Sequence, residues 1–148
     1  MVFDTLDTDK KRELRLLLLA DEQEDMIDRY LSRGTLYRLR EGEKTLCICV
    51  VTDEGNGVFE VKSLAVDERY QRGGLGRCML EHVARLYAGR GRVLRVGTGV
   101  GTGNERFYER CGFTRTGVIP HFFTEHYDHP IVEDGVRLVD MAIFERVL

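Results

Sequence analysis

The chain has 148 residues, 43% of them apolar and 32% charged, with a formal net charge of −3. That length suits one domain, residues 1–148, around a single apolar core, and the composition excludes a disordered or fibrous polymer. The acidic balance argues against general nucleic-acid binding. The longest apolar run, Leu16–Ala20, falls far short of the roughly 18 residues that cross a bilayer, so no membrane partner is expected. Met1–Asp9 holds three Asp and no apolar stretch, which does not read as a signal peptide; a cytoplasmic location is expected.

In chain order, Arg12–Ala20 reads as a strand, and Asp21 as the N-cap of a helix with Glu24 at the capping-box position. Met26, Ile27, Tyr30 and Leu31 recur at helical spacing until Gly34. Leu36–Arg40 and Thr45–Thr52 read as an antiparallel hairpin around Glu41-Gly42-Glu43. The turn cluster Asp53–Gly57 leads into a strand over Val58–Val66. After Gln71–Gly76 a helix runs to about Gly89, with an apolar stripe of Leu75, Met79, His82/Val83 and Leu86. Val93–Gly97 reads as a strand, Gly97–Gly103 as a glycine-rich loop, and Asn104–Arg110 as a short helix. Phe113–Ile119 and Val136–Val147 read as the last strands, separated by a polar, aromatic-rich loop. The order implies an α/β fold with one mixed sheet and helices against it.

Cys47, Cys49, Cys78 and Cys111 form no C-x-x-C pair, and packing is the favoured reading for all four. Cys47 and Cys49, two apart on a strand, share one face.

The charge distribution says more than its sum. Seven arginines (69, 72, 77, 85, 90, 92 and 95) fall within Arg69–Arg95 against one acid, Glu81. A local cationic segment in an acidic protein suits a compact polyanion, the plainer alternative being a solvated arginine-rich helix face. A strand ending at Val66, a glycine-rich turn and a helix start have the layout of an anion site, because glycines let backbone N–H groups approach and the first helical turn offers unpaired donors. Neither Gly73-Gly74-Leu75-Gly76 nor the alternating Gly97–Gly103 matches a dinucleotide fingerprint or a P-loop.

Gln71-Arg72-Gly73-Gly74-Leu75-Gly76 resembles the Q/R-x-x-G-x-G/A pyrophosphate loop of the GNAT N-acetyltransferase superfamily. The strand Glu60–Val66 before it and Phe107-Tyr108-Glu109-Arg110-Cys111-Gly112-Phe113 after it are similar to the family's flanking segments. Leu16–Leu31 and His121–Met141 also resemble a bacterial subgroup of mostly uncharacterised members. The resemblance implies a mixed, mostly antiparallel sheet of about six or seven strands, splayed between the fourth and fifth. It implies acetyl-CoA as co-substrate and a primary amine of a small molecule or protein as acceptor, with direct attack in a ternary complex; homodimers are common among its members.

Residue by residue, the resemblance assigns the pantetheine arm to Leu64, Ala65 and Val66 and the pyrophosphate to Gln71, Arg72, Gly73, Gly74, Leu75, Gly76 and Arg77. Tyr108 takes the place of a general acid for the leaving thiolate, the alternative being a core aromatic. Glu60 takes the place of a general base, the alternative being a solvent-facing strand residue. The family often has a cofactor-contacting Asn seven residues before the Tyr; that position here is Gly101, with Asn104 as the substitute. Those residue types suit the chemistry, since an alkylammonium attacks only after losing a proton and a thiolate leaves better if a phenol protonates it.

The loop His121–His129 is the candidate acceptor wall, with Glu125 and Asp128 reading a cation, against the plainer reading of a packed loop. Its H-x4-H-x2-H spacing matches no helical zinc motif, so no metal is expected. Two other classes stay open: a non-catalytic acyl-CoA-binding sensor, and a nucleotide- or phosphate-binding regulatory module.

Overall fold

A computed structural model describes the whole chain, Met1–Leu148. Its strands are β1 (Val2–Leu6), β2 (Thr35–Glu41), β3 (Lys44–Gly55), β4 (Val58–Val66), β5 (Val93–Gly99), β6 (Thr114–Ile119), β7 (Val132–Glu133), β8 (Val136–Arg137) and β9 (Met141–Val147). Its α-helices are α1 (Leu14–Ala20), α2 (Glu24–Asp28), α3 (Leu75–Tyr87), α4 (Gly103–Arg110) and α5 (Phe122–His126). Seven strands make one sheet in the order β1-β2-β3-β4-β5-β9-β6, antiparallel except at β4–β5. No helix is long and apolar enough to cross a membrane.

Apolar side chains from both faces of this sheet build two cores. On one face Tyr37, Cys47, Cys49, Val61 and Val96 pack against Met79, Leu80 and Val83 of α3. On the other, Leu36, Ile48, Val50 and Ala65 pack against Leu16, Leu17 and Ile27. Cys47, Cys49 and Cys111 are buried, whereas Cys78 is exposed rather than part of the core.

Several expectations need correction. Arg12–Ala20 is not a strand: Lys10–Glu13 is a 3-10 turn and Leu14–Ala20 a helix. A short apolar run carries no period, and leucine favours the helix because it loses little rotamer freedom there. Asp21 closes α1 rather than capping α2, its N–H bonding the Leu17 carbonyl at 2.9 Å. Gly34 ends the turns after α2 because a β-carbon there would stand 2.6 Å from Val50 Cγ1. The stripe of α3 is rotated from the reading: Ala84 and Tyr87 are buried and Leu86 is exposed. Gly97 and Gly99 belong to β5, where side chains at these positions would collide with Met141 and Leu138. The final strand is broken, β8 and β9 being separated by Leu138–Asp140, whose backbone anchors Ile131, Phe123 and Val100. The loop between holds α5 and the β7–β8 hairpin, turned by Asp134-Gly135 with both φ positive. β1, which no pattern had marked, pairs along β2 with Asp4 held by Arg38 and Arg40.

Two features open the sheet. In the β3–β4 register Val50 opposes Ser63 but Val51 opposes Val61, so Lys62 is an extra, bulged residue. The bulge reverses the alternation, sending Val61 toward α3 and both Ser63 and Ala65 toward α1 and α2. β4 then pairs with β5 only over Val58–Val61 and Val93–Val96; beyond these the two strands part, each held by its other neighbour.

Candidate active site

The parting of β4 and β5 leaves an open cleft of about 1130 Å³ that passes through the sheet. It brings together Glu60, Leu64, Ala65, Val66, Gln71, Asn104 and Tyr108, residues spread over 49 positions of the chain.

At one mouth lies the loop before α3. Arg72 and Gly74 both have positive φ, 67° and 81°, which turns successive N–H groups toward one side. The N–H groups from Arg72 to Arg77 find no acceptor within the chain, the first helical bond being Cys78 N–H to the Gly74 carbonyl at 3.0 Å. They face the positive end of the helix dipole, and the Arg72 and Arg77 side chains beside them are exposed. Gly76 is buried where α3 meets α4: a β-carbon on it would stand 3.2 Å from Phe107 Cζ. Gln71 donates its amide to the Val66 carbonyl at 3.1 Å, tying loop to strand end.

Asp67, unmarked by the sequence, anchors the loop. Its carboxylate accepts Arg69 N–H at 3.0 Å and the guanidiniums of Arg69 and Arg15 at 3.1 and 2.6 Å. These contacts, Arg69 foremost, hold its carboxyl well below the usual range.

Tyr108 projects from α4, its ring packed against Phe107, Phe113 and Phe144. It is only 8% exposed. No fully buried side-chain polar atom lacks a partner, and the Tyr108 hydroxyl bonds to no protein group, so it opens on the cleft. Burial, with the nearby cysteines and Glu133 adding to it, pushes this phenol well above its ordinary value. It carries its proton throughout the neutral range.

The opposite mouth is walled by α1, α2, α5 and the β7–β8 hairpin. Glu60 is paired with Lys62 at 2.6 Å and lies 3.9 Å from Arg95, which bonds Glu145 on β9 at 3.2 Å. Tyr30 shares a 2.6 Å hydrogen bond with Ser63, and Tyr127 donates to Asp21 at 2.7 Å. Phe122, Phe123 and Met141 supply apolar wall, and Asp21, Glu133 and Asp134 supply acid. Glu125 and Asp128 are exposed and do not line the cleft; Asp128 bonds His129 at 2.6 Å. Sequence reasoning missed Asp21, Tyr127 and Glu133, whose one visible signal was a surplus of acid outside Arg69–Arg95.

A family model for the GNAT acetyltransferase domain matches residues 32–115. The chain belongs to the GNAT acetyltransferase family. Among its GNAT relatives, the uncharacterised N-acetyltransferase YvbK of Bacillus subtilis (strain 168) is 31% identical over 129 residues, 86% of this chain and 83% of YvbK. A GNAT family acetyltransferase from Elizabethkingia anophelis, solved with acetyl-CoA bound, is 30% identical with a TM-score of 0.91, covering 99% of this chain and 97% of that one. The IAA acetyltransferase from Bacillus cereus ATCC 14579 is 29% identical with a TM-score of 0.92, covering 99% of each chain. The mostly antiparallel seven-stranded sheet, opened between β4 and β5, is the GNAT architecture that the motif implied.

Proposed function

We propose that this N-acetyltransferase takes acetyl-CoA as donor and passes its acetyl group to a primary amine by direct attack in a ternary complex. The observation that carries the reading is the row of unpaired N–H groups from Arg72 to Arg77 at the mouth of the opening between β4 and β5. Acetyl-CoA in the Elizabethkingia anophelis relative supports the choice of donor.

In this reading the pyrophosphate rests on Gln71–Arg77, and charge-assisted contacts from Arg72 and Arg77 complete the cradle. The pantetheine arm follows the free edge of Leu64, Ala65 and Val66, with the Asn104 carboxamide, which has no partner of its own, facing it from α4. The acetyl group reaches the middle of the sheet, and the amine enters from the α1–α2 side. The nitrogen lone pair forms the C–N bond, the C–S bond breaks, and the Tyr108 hydroxyl gives its proton to the departing sulfur. Backbone N–H groups at the parted strand stabilise charge on the carbonyl oxygen. Two carboxylates in the cleft, Glu60 and Glu133, stand where an ammonium arrives. Glu125 and Asp128, outside the rim, draw cationic acceptors toward it.

The test is the melting temperature with acetyl-CoA, ATP and NAD, followed by thiol release with a set of amines. Acetyl-CoA at about 100 times its dissociation constant adds about 2.7 kcal/mol, a rise of several degrees for a domain of this size. A rise with ATP instead, or none with acetyl-CoA, removes the reading.

A further inference from the structure

Glu133 is the one acid that lines the α5 and hairpin side of the cleft, is half-buried and has neither a hydrogen-bond nor an ion-pair partner. Of the other acids in this wall, Asp134 is exposed and the rest are engaged. Asp21 accepts the Tyr127 hydroxyl, and Glu60 is shared between Lys62 and Arg95. The Glu60 carboxylate already holds the Lys62 ammonium at 2.6 Å, so an arriving ammonium would have to displace it.

The hairpin that carries Glu133 is held rigidly enough to aim it. Asp134-Gly135 makes a tight turn, Leu138 N–H bonds the Ile131 carbonyl at 2.8 Å, and Ile131 and Leu138 are buried with Phe123. The same hairpin approaches the start of α4, with Asp134 and Val136 near Gly103 and Gly101. That contact brings the hairpin to the α4 side of the cleft, which Glu133 and Tyr108 both line. Tyr108 is itself more than nine-tenths buried, and its hydroxyl opens unpartnered into the same space. One bare base and one bare acid thus face a single cavity, on the two sides that a proton must leave and enter.

We propose that Glu133, rather than Glu60, is the general base that takes the proton from the acceptor's ammonium. This rests on the acetyl-CoA reading of the cleft. A Glu133 carboxylate oxygen removes one proton from the ammonium, and the freed lone pair attacks the thioester carbon. As the C–S bond breaks, sulfur takes the Tyr108 proton, and the second proton shed by the new amide nitrogen restores the phenol. Glu133 then releases its proton to water, so ammonium and thioester become amide, thiol and one free proton.

The surroundings suit the part. Burial raises the Glu133 carboxyl above its ordinary value, and Asp134 on its own hairpin with Glu22 and Asp21 on the facing segment raise it further. Tyr108 and Tyr127 are the neutral hydroxyl groups that line the same cleft from α4 and the end of α5. A raised carboxyl accepts a proton more readily, and the same repulsion makes the ionised folded state less stable.

The test compares wild type, Glu133→Gln and Glu60→Gln by thiol release from acetyl-CoA, with spermidine, tyramine, kanamycin and methioninamide as acceptors, from pH 6 to 10. Glu133→Gln should lose about 10²-fold or more in kcat/KM at pH 7. The deficit should narrow toward pH 10, where the amine arrives already neutral, and Glu60→Gln should lose less. The melting temperature of Glu133→Gln without ligand should equal or exceed that of wild type, and its rise with acetyl-CoA should be unchanged. A merely structural role for Glu133 would lower that temperature. The proposal is overturned if Glu133→Gln stays within threefold of wild type, or if Glu60→Gln shows the larger, pH-dependent loss. It is overturned too if wild type binds acetyl-CoA but releases no thiol with any of the four amines. Absence of an acetyl-CoA shift in wild type would instead sink the reading beneath it.

Discussion

Tyr127 donates its hydroxyl proton to Asp21 at 2.7 Å, joining two segments 106 positions apart in the chain. The bond fastens the end of α5 to the junction of α1 and α2 in the cleft wall. Burial raises the Asp21 carboxyl, and the tyrosine hydroxyl is the main contact that opposes it.

Tyr127→Phe removes that contact and leaves a half-buried carboxylate with less help. A loss of about 1 kcal/mol is expected, a few degrees in melting temperature. The sign with pH follows from the direction of the shift. Asp21 has a raised folded value that rises further in the variant, so the deficit is full at neutral pH and fades in acid, where the carboxyl is protonated in both states. Melting curves at pH 7 and pH 3 check this, and a deficit that grew in acid would contradict it. KM for the amine should rise several-fold while the acetyl-CoA shift stays as in wild type.

Tyr108→Phe keeps the ring among Phe107, Phe113 and Phe144 and removes a hydroxyl that bonds nothing in the protein. Stability should therefore change by less than about 0.5 kcal/mol. kcat should fall by about 10²-fold through loss of the proton donor, with acetyl-CoA binding intact. Equal kcat in the two proteins would remove Tyr108 from the chemistry.

Asp67→Asn keeps an oxygen for Arg69 N–H but gives up the charge that holds Arg15 and Arg69. The cradle before α3 should loosen, and the acetyl-CoA shift should shrink with no change in the amine's KM. Because the folded carboxyl lies below its usual 3.8, Asp67 stabilises the fold above that pH, and the contribution disappears as pH falls through the lower folded value. Wild type and variant should therefore converge in strong acid and differ most near neutrality.

The half of the site proposed to hold the donor was legible because it is local. Gln71–Gly76 packs a turn, an N–H cradle and a helix start into consecutive residues, and two of its glycines answer a backbone demand that sequence spacing records: Gly74 a positive φ, Gly76 the approach of Phe107. β4 was read to the residue, Val58–Val66, since β-branched residues and a flanking turn mark it from both ends. Leu14–Ala20 was misread because four consecutive leucines have no period, and only their burial against Ile48 and Ala65 gives the helix a face.

The half proposed to take the acceptor was not legible, for a related reason. Asp21, Tyr127 and Glu133 come from three separate segments and gain their meaning from one another. Glu125 and Asp128, acidic and near Tyr127 in the chain, point away from the cleft, while Glu133 a few residues on lines it. Thus the amino-acid order by itself determined the family, the glycine-rich loop before α3 and the strand that borders it, because backbone conformation over a few residues decides those. Which carboxylates stand bare in the cleft and which are spent on arginine, lysine or tyrosine was decided only by tertiary structure. Desolvation and pairing depend on what the fold brings within a few ångströms, and that distance is absent from the chain's order.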